Sequence, residues 1–149
     1  MLVRSPLEGR TCLLTEVPDR VIADGMLGAG LAIDPDRSAQ VAVAPIAGTL
    51  IKLHPHAYLI QAEDGRGVLV HLGIDTVHMH GDGFTHHAHE DDRLAAGDPV
   101  TSWDPAYVAR TGRSPMCAVV VLDQPARADL AHPPGSPVTA GEPVFDIDR

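Results

Sequence analysis

Apolar residues along this chain come in short runs, each closed by Gly, Pro or Asp. QVAVAPIAGTLIKL, AYLIQAEDG, GVLVHLGI, TVHMHGDG, DPVTSW, MCAVVVL and PVFDIDR read as strands a few residues long between turn residues. Few windows hold an apolar stripe at helical period over three turns. DRVIADGMLGAG and DPAYVARTG predict only short helical turns, each opening on an Asp that can cap. The pattern therefore predicts an all-β chain, an antiparallel β-sandwich or barrel-like fold with short helical turns.

Two internal similarities refine this expectation. SPLEGRTCLL, near residue 5, resembles APIAGTLIKL, near residue 44. AGDPVTSWD, near residue 96, resembles AGEPVFDID, near residue 140. Two kinds of motif, each repeated in the same order after roughly 40 residues, predict an internally duplicated structure built from related halves. At 149 residues, the chain is expected to form a single domain over 1–149.

Composition narrows the chemistry. Eleven Lys and Arg stand against 20 Asp and Glu, for a net charge of −9, and aromatics make up only 3%. A phosphate-backbone binder would need a basic patch, so nucleic acid is not an expected partner. Partners with basic contact faces suit this charge. No apolar run approaches a membrane span, the N-terminus lacks a secretory apolar region, and a cytoplasmic location follows as the expectation. Cys12 and Cys117 each sit in an apolar stretch and are expected to be buried, reduced thiols.

Nine histidines give the chain its distinctive chemistry. His78, His80, His86, His87 and His89 crowd one acidic, Gly-containing segment. They read as an exposed surface loop, although His78 and His80 on a strand would share a face and could chelate a metal. His54, His56 and His71 differ, because each closes or follows an apolar strand. Neighbouring strands could bring His56 and His71 side by side.

PHAYLI and VLVHLGIDTV, with His56 and His71 fifteen positions apart, resemble the IIA component of the glucose family of the sugar phosphotransferase system. SPLEG, EVPD, GMLGAGLAIDP, VAPIAGTL, GDGFTHHAHEDDRLAAGDPV and TAGEPVFDI extend the resemblance over nearly the whole chain. It implies an antiparallel β-sandwich with an internal duplication. It also implies a phosphotransferase role: His71 accepts a phosphoryl group from the phosphocarrier protein HPr and passes it to a cysteine of the IIB component during sugar uptake. The sugar itself is chosen by the membrane component and stays open.

Imidazole suits such a relay, because its unperturbed pKa near ~6.5 leaves a neutral nucleophilic nitrogen at cytoplasmic pH. In the resembling family the attacking atom is Nε2. Gly73 would let a backbone carbonyl reach the other ring nitrogen. His56 would donate to phosphoryl oxygens, the electrostatic positioning on which phosphoryl transfer depends. Asp75 is open between meeting a basic group of the partner and capping a turn. The family's apolar rim is matched by Ile22, Met26, Leu27, Leu69 and Val77, a partner-binding surface in expectation. No cofactor is required; a regulatory role in the unphosphorylated state, with zinc held at a partner interface by His56 and His71, is a further implication.

The resemblance has departures. His54-Pro55 replaces a usual polar pair such as Thr-Asn, so the hydroxyl that orients the supporting histidine in that family is either missing here or substituted by His54. The segment before His56 is also shorter. A rival reading is a zinc-dependent hydrolase similar to LytM-type peptidases, with His54, His56, His71 and Asp75 as ligands. Those enzymes place HxxxD before HxH, however, and here His54-Pro55-His56 comes first.

Overall fold

Strands form at every apolar run singled out above except TVHMHGDG. The computed structural model describes residues 1–124 and 127–147, so the last two residues of PVFDIDR lie outside the described residues. The first half of the chain carries β1 (Leu2–Arg4), β2 (Gly9–Cys12), helix α1 (Arg20–Ala23), β3 (Gly28–Pro35), β4 (Gln40–Val43), β5 (Gly48–His54), β6 (Ala57–Gln61) and β7 (Gly67–His71). The second half carries β8 (Thr85–His86), β9 (Arg93–Leu94), β10 (Pro99–Trp103), helix α2 (Pro105–Arg110), β11 (Cys117–Leu122), β12 (Asp129–Leu130), β13 (Pro137–Val138) and β14 (Pro143–Asp146). Both helical turns are capped as expected: Asp19 accepts from the Val21 and Ile22 amides and Asp104 from the Ala106 amide.

TVHMHGDG is a correction. Its alternation imitates a strand, but Thr76–Met79 form a 3-10 turn. Asp75 enters this turn in the left-handed conformation (φ 61°), and the Thr76 hydroxyl donates back to the Leu72 carbonyl at 2.8 Å. His78 and His80 therefore lie on no strand and share no strand face. The other helical window also shrinks: β3 begins inside GMLGAG, where Gly28 and Gly30 approach β11 so closely that a Cβ at either would lie 1.9 Å from a β11 carbonyl oxygen.

The sheets express the duplication. One antiparallel sheet of eight strands runs in the order β13-β2-β3-β11-β7-β6-β5-β9. Two smaller sheets, β1-β14-β12 and β4-β10-β8, have matching connectivity. Backbone hydrogen bonds repeat across the two halves. The Arg4 amide donates to Pro45 and the Val43 amide to Pro6, both at 3.0 Å. Ser5 exchanges backbone bonds with Glu142 and Gly141, just as Ala44 does with Asp98 and Gly97. The two P-x-x-G motifs thus pair with each other, and each A-G-[DE]-P-V motif closes onto one of them, the later motif at Ser5 and the earlier at Ala44.

The large sheet is buried on one face and, around β3 and β11, on the other as well. On β11, Cys117, Val119 and Val121 point into the main core, with Leu31, Ile33, Val68, Val70, Tyr58 and Ile60, against Val3, Phe145, Val100 and Trp103 of the small sheets. The intervening Ala118 and Val120 point the opposite way, into a smaller cluster with Val17, Ile22, Ala32 and Ile74. The Tyr58 hydroxyl donates to the Val43 carbonyl at 2.7 Å and ties the large sheet to a small one. No helix among the described residues is long and apolar enough to cross a membrane.

Candidate functional site

The site grows from the end of β7. Period-two alternation sends Val68 and Val70 into the main core and leaves Leu69 and His71 half-buried on the opposite face. Register sets His71 between Ala57 of β6 and Ala118 of β11, so neither flanking strand places a bulky side chain beside the imidazole. Just past the strand, the chain reverses and the Gly73 carbonyl meets His71 Nδ1 at 2.6 Å. A carbonyl can only accept, so Nδ1 carries the hydrogen and Nε2 keeps its lone pair. Gly73 itself has φ +79°, and a Cβ there would lie 2.6 Å from Thr76 Cγ2 and 3.1 Å from the Ser114 carbonyl. The Ile74 amide donates to that same Ser114 carbonyl at 2.8 Å, which fixes the reversal from behind.

His56 reaches the same place from another element. β5 and β6 form a hairpin closed by the His54–Ala57 pair, with Pro55 and His56 as its two-residue tip. The His56 carbonyl accepts from the Leu72 amide at 2.7 Å, which pins the tip to the end of β7. His56 and His71 then meet edge to face, with ring centroids 5.1 Å apart and planes at 70°. His54, exposed, lies on the far side, its ring stacked on His56 at 6.1 Å and 27°. Burial, then the imidazoles of His71 and His54, lower the His56 pKa from 6.5 to about 4. His56 is therefore neutral near pH 7, with one N–H to donate.

Of the remaining expected residues, Asp75 is exposed and its carboxylate makes no capping bond; only its backbone carbonyl joins the turn, accepting from the His78 amide. Met26 is 73% exposed and Val77 53%, while Leu27 and Leu69 are half-buried. Ile22 is a correction. It is 5% exposed and packs in the smaller cluster, because a one-turn helix turns neighbours to opposite sides; Val21, 46% exposed, takes the outward position. Cys117 is buried as expected, but Cys12 is only half-buried. Burial, followed by the Glu16 and Asp34 carboxylates, pushes the Cys12 thiol up, so it is no thiolate nucleophile. Both cysteines are free thiols.

The histidine-rich segment is exposed as expected at His78, His80, His86, His87 and His89. Among the described residues, no group of three or more His, Cys, Asp or Glu side chains is arranged to hold a metal ion. The ligand set required by the hydrolase reading, His54, His56, His71 and Asp75, is therefore not assembled. Reading the segment as plain surface nevertheless missed side-chain contacts, two of them to β5. His86 Nε2 reaches the His54 carbonyl at 3.1 Å, and Glu90 Oε1 accepts from the Leu53 amide at 3.1 Å. Nothing in a linear pattern signals either one, since both join residues more than thirty positions apart.

Residues 1–126 match the family described as phosphoenolpyruvate-dependent sugar phosphotransferase system, EIIA 1. The glucose-specific EIIA component of Halalkalibacterium halodurans is 36% identical over 95% of this chain and 82% of its own length. The glucose-specific EIIBCA component of Corynebacterium glutamicum is 38% identical over 80% of this chain, which spans only 18% of that relative's length. A solved structure, glucose permease IIA from Mycoplasma capricolum, superposes with a TM-score of 0.86 at 31% identity, covering 97% of this chain and 94% of that one.

Proposed function

Because the chain belongs to the EIIA 1 family of the phosphoenolpyruvate-dependent sugar phosphotransferase system, we propose that His71 is the residue that carries its phosphoryl group, through Nε2. The chain is a phosphotransferase component, a phosphohistidine relay in sugar uptake. The observation that supports His71 is its fixed tautomer. With Nδ1–H held by the Gly73 carbonyl at 2.6 Å, the Nε2 lone pair is the free nucleophile.

The donor is phospho-HPr. The Nε2 lone pair attacks phosphorus, the donor's P–N bond breaks with its electron pair going to the donor nitrogen, and the donor ring, which carries a proton on its other nitrogen, leaves as neutral imidazole. Positive charge that builds on the His71 ring is stabilised by the carbonyl on Nδ1–H. His56 donates its N–H to the phosphoryl oxygens from the neighbouring hairpin, with His54 supporting it. In the second transfer a cysteine thiolate of a IIB component attacks phosphorus, the Nε2–P bond breaks, and neutral His71 is restored. Relatives that join the B, C and A components in one chain support the IIB assignment. Exposed Met26 and Val77, with Leu27 and Leu69 beside them, supply the apolar contact surface, and the Asp75 carboxylate meets a basic group of the partner. The 1–149 chain acts as one IIA domain. The relatives are named for glucose, mannose and β-glucoside, and the sugar is chosen outside this chain.

The test is reconstitution with phosphoenolpyruvate, enzyme I and HPr. The protein acquires acid-labile, base-stable phosphate, and His71→Ala acquires none. His56→Gln accepts the label but fails to pass it to IIB. Label retained in His71→Ala contradicts the assignment.

A further inference from the structure

His86 stands outside the His56–His71 pair, yet it is bonded to the hairpin that carries one of them. It lies on β8, whose backbone is paired with β10 (His86 opposite Thr101) in a small sheet. Its side chain crosses to the large sheet, where Nε2 meets the His54 carbonyl at 3.1 Å. That carbonyl can only accept, so Nε2 bears the hydrogen. His54 is the last residue of β5, two positions before His56.

The hairpin tip is thus held from two sides. The Leu72 amide binds the His56 carbonyl from β7, and His86 binds the His54 carbonyl from β8. The second hold also acts through side chains, because the His54 ring is stacked on that of His56. Without it, the outer side of the tip keeps Glu90 on the Leu53 amide, one residue further from His56.

We propose that His86 is a positioning residue for the relay: by donating from Nε2 to the His54 carbonyl it clamps the β5–β6 tip and sets the His56 ring against His71. The inference rests on the roles given above to His56 and His71. It concerns alignment within the transfer step, not recognition of the donor protein, so the effect falls on turnover. A hydrogen bond of this kind is worth about a five-fold change in rate when alignment depends on it.

The experiment measures initial rates of phosphoryl passage from phospho-HPr through the full chain to IIB, for parent, His86→Ala and His86→Gln. His86→Ala is expected to lower kcat about five-fold with KM for phospho-HPr unchanged. His86→Gln, whose amide can donate to the same carbonyl, is expected to recover most of kcat. An unchanged kcat in His86→Ala, a loss that falls on KM, or a loss that His86→Gln does not repair overturns the proposal. His71→Ala run in parallel separates the two levels. If it still accepts phosphate, the underlying assignment fails; if it does not, and His86→Ala matches the parent, only the role of His86 fails.

Discussion

The two central strands of the large sheet end in equivalent places with different side chains. At one end, His71 closes β7; at the other, Leu122 closes β11. The next amide makes the same bond at both: Leu72 donates to His56 at 2.7 Å and Asp123 to Leu27 at 3.0 Å. Small residues flank both positions, Ala57 and Ala118 around His71, Gly28 and Gly67 beside Leu122. Duplication therefore supplies two matching seats on one face of one sheet. One holds a pair of imidazoles, the other a pair of leucines. What distinguishes the β7 end is the imidazole pair and the turn behind it, where Gly73 aims a carbonyl at Nδ1.

A paired substitution separates the two ends most strongly. His71→Ala should abolish phosphate acceptance in the labelling assay, whereas Leu122→Ala at the matching seat should leave it intact. Leu122 is half-buried beside Leu27, so its truncation should instead cost about 2 kcal/mol in denaturant unfolding. Loss of labelling in both would mean that the two ends act together.

Next in size is Gly73→Ala. The added Cβ meets Thr76 and the Ser114 carbonyl and is strained at positive φ, so the turn must shift. Displacing the Nδ1 acceptor by an ångström is expected to slow transfer about 100-fold, measured by rapid-quench labelling. An undiminished rate would show that the tautomer is not set by this carbonyl.

The smallest effect is on His56. Its imidazole signals should titrate with a midpoint near 4, and His54→Thr should move that midpoint upward by removing one of the neighbouring imidazoles. The sign for stability follows from linkage. Between about pH 6.5 and 4 the unfolded chain binds a proton at this residue that the folded chain refuses, so stability falls as pH drops through that window. A midpoint near 6.5 in NMR titration would show that burial and the imidazole neighbours do not act on it.

Much of this was legible in the linear sequence. Apolar runs bounded by turn residues placed most strands, and the P-x-x-G and A-G-[DE]-P-V repeats anticipated the paired halves. The meeting of His56 and His71 was foreseeable because each adjoins a strand at the spacing of a known motif. What stayed hidden depends on tertiary direction. TVHMH alternates like a strand, but the left-handed Asp75 and the Thr76 hydroxyl wind it into a turn. Val21 and Ile22 look interchangeable until the helix sends one outward and one into the core. His86 was one histidine in a conspicuous cluster, and only the approach of β8 to the hairpin singles it out.

If the Gly73 carbonyl holds Nδ1–H, phosphate is expected on Nε2 of His71. Heteronuclear NMR of the protein phosphorylated through HPr, with labelled histidine, locates the phosphorus–nitrogen bond directly. Phosphorus coupled to Nε2 of His71, with a protonated Nδ1, is the predicted result. Phosphorus on Nδ1, or on any of the other eight histidines, would contradict it.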